Sequence, residues 1–238
     1  MKKIITTLLI AFSIPAIAVE TITFPSKDGI VITADLYVVN DSLPYMLLCH
    51  QAGSSRGEYQ MSAKRFNKLG YNCLAIDQRS GDSINGVMNQ TAIAAKKKGK
   101  STDYLDAEQD IVAALDYLYQ KSGKEVVLVG SSYSASLVLK IAVGNSKVSR
   151  VIAFSPGEYF GKKMNLKKEI EKLDKPIWVG SSAEEKSGCE DLIKNAVTGD
   201  KRVFAPAEKG AHGSKALWKT NSSYLDYWMS ILMFLDND

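Results

Sequence analysis

The chain has 238 residues and a formal net charge of +4, from 30 basic and 26 acidic side chains. This near balance predicts neither nucleic-acid binding nor attraction to a membrane surface. The length suits one domain with a substantial core. The chain has 3 cysteines, and this odd number cannot form a complete disulfide framework. A Cys49–Cys73 bridge is open to an exported protein, but both residues lie in apolar runs and fit better as buried thiols.

The first 18 residues have the features of an export signal. Lys2 and Lys3 precede a stretch with almost no charge, and Ala16 and Ala18 place small residues where a signal peptidase reads them. The apolar stretch is shorter than the roughly 20 residues that a membrane-spanning helix needs. We therefore expect cleavage of residues 1–18, a mature domain over residues 19–238, and a periplasmic or secreted product without a membrane anchor.

The mature sequence starts with a predicted β-hairpin. Two strand-like runs, 21–24 and 30–39, flank Lys27-Asp28-Gly29, and an Asp-Gly pair favours the positive φ of a tight turn. Short, continuously apolar runs follow, as in strands that a parallel sheet buries on both faces. These runs cover 45–49, 72–76, 126–129, 148–154, 177–179 and 202–205.

Segments with helical spacing separate the apolar runs. Residues 107–118 repeat apolar side chains at intervals of three and four, and an apolar stripe over 222–235 predicts a last helix that packs on the sheet. Six alternations of strand and helix predict an α/β domain with a mostly parallel, twisted sheet and helices on both faces. The stretch between the runs at 148–154 and 177–179 has room for one short helix near 166–173, but not for a large lid. We expect the lysine-rich segment 94–100 to be a solvated loop in an irregular insertion over 81–101.

One serine has the sequence context of a nucleophile. The apolar run 126–129 leads into Gly130-Ser131-Ser132-Tyr133-Ser134, and an apolar helical pattern follows. A serine held on a tight turn between a strand and a helix needs small residues two positions before and after it. Gly130 and Ser134 meet this requirement around Ser132, although glycine is commoner at the second position.

A serine hydroxyl needs a base, and the chain has 2 histidines. His212, between glycines and after the last apolar run, follows Ser132 in the order nucleophile, acid, base. The acid should follow the run 177–179. Glu184 is the first candidate there and Glu185 the alternative, while Glu158 is a weaker third candidate.

The intermediate of acyl transfer also needs two donors for its oxyanion. The amide of Tyr133, directly after the nucleophile, should be one of them. The other should come from the loop after the run 45–49, where either Gln51 or Ala52 can supply it. His50 should then brace this loop. Asp77 and Arg79 also end a strand, and we interpret them as a structural ion pair.

Four motifs, in this order and spacing, resemble the α/β-hydrolase superfamily: His50-Gln51-Ala52-Gly53, Asp77-Gln78-Arg79-Ser80-Gly81, Gly130-Ser131-Ser132-Tyr133-Ser134 and Gly210-Ala211-His212-Gly213. Within it, the chain is similar to the compact dienelactone-hydrolase-like and small serine-esterase branches. The resemblance covers essentially the whole mature chain. It implies an eight-stranded sheet with an antiparallel second strand, the Ser132–Glu184–His212 triad, and neither a metal nor an organic cofactor. Dienelactone hydrolases use a cysteine nucleophile where this chain has Ser132, and aspartate is the commoner acid.

Together these features predict an exported serine hydrolase that cleaves esters or related acyl compounds through an acyl-enzyme. Its partner would be a small acyl substrate, without nucleic acid or membrane. A peptidase or acyltransferase would use the same residues, and a catalytically silent binding protein could keep the same fold.

Overall fold

The structure is a computed structural model that describes residues 18–236. The predicted signal peptide lies outside these residues except for Ala18, the first residue of the first strand. Its cleavage therefore stays a prediction. In the described part of the chain, no helix is both long and apolar enough to cross a bilayer.

Strands and helices alternate along residues 18–236. The strands are β1 (Ala18–Pro25), β2 (Val31–Val38), β3 (Tyr45–Cys49), β4 (Asn72–Ile76), β5 (Ser83–Ile84), β6 (Val87–Met88), β7 (Val126–Ser131), β8 (Val148–Phe154), β9 (Ile177–Gly180) and β10 (Lys201–Phe204). The helices are α1 (Gln60–Lys68), α2 (Gln90–Lys97), α3 (Glu108–Ser122), α4 (Tyr133–Ala142), α5 (Leu166–Glu169), α6 (Lys186–Ile193) and α7 (Tyr224–Leu235).

Eight of the strands form one sheet in the order β1-β2-β4-β3-β7-β8-β9-β10. β1 and β2 form the predicted antiparallel hairpin, β2 is antiparallel to β4, and the remaining pairs are parallel. The predicted fold class is thus confirmed, including the antiparallel second strand. The parallel arrangement places the carboxyl ends of β3, β7, β8 and β9 at one edge, where sites of open α/β sheets lie.

The core consists of two apolar layers, one on each face of the sheet. One layer contains side chains of α3, α4, α5 and α6, and the other contains side chains of α1 and α7. The central strands β3 and β4 are buried at every position, which explains their continuously apolar sequences. Cys49 belongs to the first layer and Cys73 to the second, so the sheet separates them and both thiols are free.

The segment between β4 and α3 is more regular than the sequence suggested. β5 and β6 form a small hairpin, and α2 follows with Asn89 as its N-cap. Thr91, Ala92 and Ala95 are buried on the inner side of α2, whereas the lysines at its end are exposed. The expected solvated loop over 94–100 is therefore wrong in part: the lysines are solvated, but residues 94–97 are helical.

The connection from β8 to β9 is short, as expected. It contains a 3₁₀ turn at Gly161–Lys163 and the single-turn helix α5. No larger element covers the carboxyl edge of the sheet between these two described strands.

Candidate active site

Ser132 lies on a strained turn between β7 and α4. Its backbone has φ 58° and ψ −124°, a region that costs a non-glycine residue of order 1–3 kcal/mol. A Cβ on Gly130 would come within 2.6 Å of backbone atoms of Ser134 and Ala135, so only glycine fits there. Ser134 is buried, accepts a bond from the amide of Ser131 at 2.9 Å and donates to the carbonyl of Cys49 at 2.8 Å. The hydroxyl of this unusual second small residue therefore ties the turn to β3.

His212 lies beside Ser132, with 2.9 Å between its Nε2 and the Ser132 Oγ. Its Nδ1 lies 2.5 Å from Oε1 of Glu185. The three side chains thus form a continuous line from hydroxyl to imidazole to carboxylate. This geometry lets the imidazole take the serine proton while the carboxylate holds its tautomer.

The carboxylate next to His212 belongs to Glu185, the alternative candidate, and not to Glu184. Glu184 is exposed, whereas Glu185 is partly buried at the start of α6. Oε2 of Glu185 accepts bonds from the hydroxyl of Ser155 at 2.7 Å and the amide of Ser182 at 3.1 Å. Burial raises the pKa of Glu185, but the bonds from His212, Ser155 and Ser182 outweigh it and lower the pKa to about 2. Glu185 is therefore ionised at neutral pH.

Ser155, the first residue after β8, connects the acid to the histidine loop. Besides donating to Glu185, its Oγ accepts the amide of Gly213 at 3.0 Å. Ser155 has φ 50°, again a left-handed conformation for a residue other than glycine. Sequence reasoning missed this residue.

The loop after β3 carries both amides that the sequence offered as the second oxyanion donor, those of Gln51 and Ala52. The amide of Gln51 donates to Oε2 of the buried Glu58 at 3.1 Å. Among the described residues, the amides of Ala52 and Tyr133 have no protein acceptor. Of the two candidates in this loop, Ala52 therefore has the available N–H, since that of Gln51 is already occupied.

Glu58 links this loop to the histidine loop. Its Oε1 accepts the hydroxyl of Ser214 at 2.5 Å, while the amide of Ser214 donates to the Ser131 Oγ at 2.8 Å. The buried His50 stabilises the same loop through hydrogen bonds, as predicted. Its Nδ1 lies 2.8 Å from the carbonyl oxygen of Gln51, and its Nε2 accepts a bond from the amide of Gln78 at 3.0 Å. Glu58, like Ser155, was not identified from the sequence.

Two small cavities flank Tyr159, whose hydroxyl donates to the carbonyl of Ser155 at 2.8 Å. Burial raises the pKa of Tyr159, and the contact with Ser132 opposes this shift. One cavity, of about 250 Å³, also contacts Tyr104 and Phe160; the other, of about 330 Å³, reaches Glu185. The ring of Tyr104 stacks on that of Tyr133 at 4.5 Å. Aromatic rings therefore line the first cavity and suit a small acyl or alkyl group, whereas charged side chains line much of the second.

The remaining candidate residues have structural roles. We expected an ion pair between Asp77 and Arg79, but these two residues do not pair with each other. Asp77 pairs with Arg56 at 2.7 Å, and Arg79 pairs with Asp110 at 2.7 Å and with Asp28 at 2.9 Å. The carboxylate of Glu158 accepts the amides of residues 166 and 167 at the start of α5. Within residues 18–236, no group of three or more His, Cys, Asp or Glu side chains could hold a metal ion.

The sheet order and the serine turn together define an α/β hydrolase. The chain matches the family described as "Serine aminopeptidase, S33" over residues 42–203, and it belongs to this family of α/β hydrolases. No curated protein matches it significantly.

Solved structures share the fold at low sequence identity. An esterase of Pyrococcus furiosus has a TM-score of 0.68 at 18% identity, with 92% of each chain covered. A dienelactone hydrolase from Anabaena variabilis has a TM-score of 0.68 at 15% identity, covering 90% of this chain and 94% of that one. An acetyl xylan esterase from Paenibacillus has a TM-score of 0.67 at 14% identity, covering 95% and 87%. These structures support the expected likeness to the dienelactone-hydrolase-like branch and to esterases.

Proposed function

We propose that the chain is an exported serine hydrolase that cleaves esters or related small acyl compounds, with Ser132, His212 and Glu185 as its triad. The observation that carries the proposal is the line of hydrogen bonds from the Ser132 Oγ through His212 to Glu185. The hydrolase family and the esterases among the structures of similar fold agree with it. The aromatic cavity beside Tyr159 favours a small acyl group.

In the first half of the reaction, Nε2 of His212 takes the proton of Ser132 while the Oγ attacks the acyl carbonyl. The carbonyl oxygen becomes an oxyanion, and the amides of Tyr133 and Ala52 bind it. Glu185 stabilises the imidazolium, because its low pKa keeps it ionised. The intermediate then collapses, His212 gives its proton to the departing alcohol, and the acyl group stays on Ser132.

In the second half, water replaces the alcohol. His212 takes a proton from the water as its oxygen attacks the acyl-enzyme, and the same two amides bind the new oxyanion. Collapse releases the carboxylic acid, and the proton on His212 returns to Ser132. Removal of one oxyanion donor typically lowers kcat by about 10²–10³-fold.

Labelling with a fluorophosphonate tests the nucleophile. We expect Ser132 to be labelled in the wild type and no labelling in Ser132→Ala. Ser131→Ala is the matched control, because Ser131 is adjacent and buried but directs its Oγ to the amide of Ser214. If Ser131→Ala abolished labelling and Ser132→Ala did not, the assignment would be wrong. Absence of labelling in the wild type would favour a silent binding protein.

Peptide hydrolysis is the second candidate, and the description of the family favours it. Matched p-nitrophenyl esters and p-nitroanilides of the same acyl group distinguish the two activities. We expect kcat/KM for the ester to exceed that for the anilide by more than their difference in chemical reactivity. A higher kcat/KM for the anilide would identify a peptidase.

Export forms part of the proposal and rests on residues 1–18. When the complete chain is expressed in a bacterium, we expect the protein recovered from the periplasm or medium to begin at Val19. Mass spectrometry of the intact protein measures this directly. A cell-associated protein that keeps Met1 would contradict export by signal cleavage.

A further inference from the structure

The largest cavity described lies away from the triad, on the side of the sheet covered by α1 and α7. Its volume is about 790 Å³, and none of Ser132, Glu185 and His212 lines it. Apolar side chains from three segments form much of its surface: Met61, Leu217, Trp218, Tyr224 and Trp228. A concave apolar site of this volume is in the range that holds one small organic ligand.

The charged residues around this cavity are nearly all of one sign. Four basic side chains line it, namely Lys64, Arg65, Lys68 and Lys219. The guanidinium of Arg65 lies over the ring of Trp228, 4.5 Å from its centroid. The three lysines are exposed, and no ion pair is described for them within residues 18–236. Unpaired cations at the rim of an apolar hollow favour a ligand with a negative group.

Acidic residues do not neutralise this rim. Within residues 18–236, Glu58 is the one carboxylate that lines the cavity, but its oxygens already accept bonds from Gln51 and Ser214. Ser62 is a second, independent observation that points to a polar group of a ligand. It lines the cavity, and its buried hydroxyl has no partner among the described residues.

We infer that this cavity binds a free anionic amphiphile, a molecule with one acyl chain or ring system and a carboxylate or phosphate head. The apolar part would lie against Trp218 and Trp228, and the head would face the lysines. The concave shape favours a single molecule over a membrane surface, because a bilayer is contacted by protruding apolar side chains rather than by a hollow. The inference does not depend on hydrolysis by Ser132.

Three probes with the same ten-carbon chain test the inference: decanoate, decanol and decylammonium, each below its micelle concentration. Tryptophan fluorescence reports on the cavity, because two of the 3 tryptophans line it, and calorimetry gives the dissociation constant. We expect saturable binding of decanoate, weaker binding of decanol and the weakest binding of decylammonium.

Substitution of the cavity lysines by glutamine tests whether decanoate binds in this cavity. We expect Lys64→Gln combined with Lys68→Gln and Lys219→Gln to weaken decanoate binding by about tenfold, since each exposed ion pair contributes a few-fold. Decanol binding should not change. The matched control combines Lys96→Gln, Lys97→Gln and Lys121→Gln, three exposed lysines outside the cavity, and should bind decanoate like the wild type.

Other outcomes would overturn the inference. These are no saturable binding of decanoate, equal affinity for decanol and decanoate, or decanoate binding that the cavity lysines do not affect. Lysine-dependent sedimentation with phosphatidylglycerol vesicles, without binding of free decanoate, would identify a membrane surface as the occupant instead.

Discussion

Replacing Glu185 with glutamine removes the negative charge beside His212 at nearly constant size. The amide oxygen can still accept from Ser155 and Ser182, which leaves the NH₂ group facing Nδ1. This arrangement favours the imidazole tautomer with its proton on Nε2, which cannot accept the proton of Ser132. We therefore expect Glu185→Gln to lower kcat strongly while KM changes little.

The size of the loss follows from the geometry. Opposite charges about 4 Å apart interact by about 1 kcal/mol in water and about 4 kcal/mol at an effective dielectric constant of about 20. The side chains of Glu185 and His212 are 31% and 45% exposed, so we expect a value between these limits. A loss of about 1–4 kcal/mol corresponds to about 5- to 1000-fold in kcat.

Turnover of p-nitrophenyl acetate and the rate of fluorophosphonate labelling measure the effect. Glu184→Gln is the matched control: the residue is adjacent and exposed and has no described bond to His212, so kcat should stay within about twofold of the wild type. The reasoning is refuted if both variants lose activity equally, or if Glu184→Gln alone loses it.

The same substitution changes stability in acid. The pKa of Glu185 is lowered from 4.5 to about 2, so its ionised form stabilises the fold above about pH 4.5, and this contribution is lost as the pH falls through about 2. A carboxylate fully shielded from solvent would contribute about 3 kcal/mol to stability for this shift in pKa. The side chain of Glu185 is 31% exposed, and solvent screening reduces its contribution to about 1–2 kcal/mol. Between about pH 5 and pH 2, urea denaturation should therefore show a smaller loss of stability in Glu185→Gln than in the wild type by that amount.

Three further substitutions test neighbouring features. Glu58→Ala leaves the amide of Gln51 and the hydroxyl of Ser214 without their acceptor; we expect a stability loss of about 1–3 kcal/mol in urea denaturation and a lower kcat, whereas Glu58→Gln should keep most of both. Tyr159→Ala joins the two cavities that Tyr159 separates, so activity across a series of p-nitrophenyl esters should shift to longer acyl chains, and an unchanged profile, or the same shift in Tyr159→Phe, would contradict this. Arg79→Met leaves buried Asp110 unpaired and should cost about 3–5 kcal/mol in thermal unfolding, while kcat per folded molecule stays constant.

The features that the sequence predicted well depend on local patterns. β3 and β4 are buried on both faces, and their sequences are therefore continuous apolar runs that predict buried strands. The turn at Ser132 requires Gly130 because backbone atoms leave no room for a Cβ. His212 was identified by chain order, since only 2 histidines are present.

The features that the sequence missed depend on tertiary contacts. Glu184 and Glu185 are adjacent carboxylates, and what distinguishes them is the hydroxyl of Ser155, the residue directly after strand β8. The choice between Gln51 and Ala52 similarly depends on Glu58, which occupies one of the two amides. Helix α2 was not predicted because its lysine run is typical of a solvated loop and only a short inner side of the helix is apolar. This inner side packs on β2, where the amide of Thr33 donates to the Thr91 hydroxyl at 3.0 Å.

The site places two left-handed non-glycine residues, Ser132 and Ser155, close together, and such strain persists only where surrounding contacts hold it. Hydrogen bonds supply these contacts. Ser134 fixes the serine turn to β3, Ser155 joins the acid to the histidine loop, and Glu58 joins that loop to the amide of Gln51. The net contribution of each hydrogen bond to stability is only about 1 kcal/mol, but a buried partner left without a hydrogen bond costs about 1–3 kcal/mol. The loops that carry Ala52, Glu185 and His212 therefore cannot shift separately without breaking a buried bond, and this coupling holds the side chains of Ser132, His212 and Glu185 together.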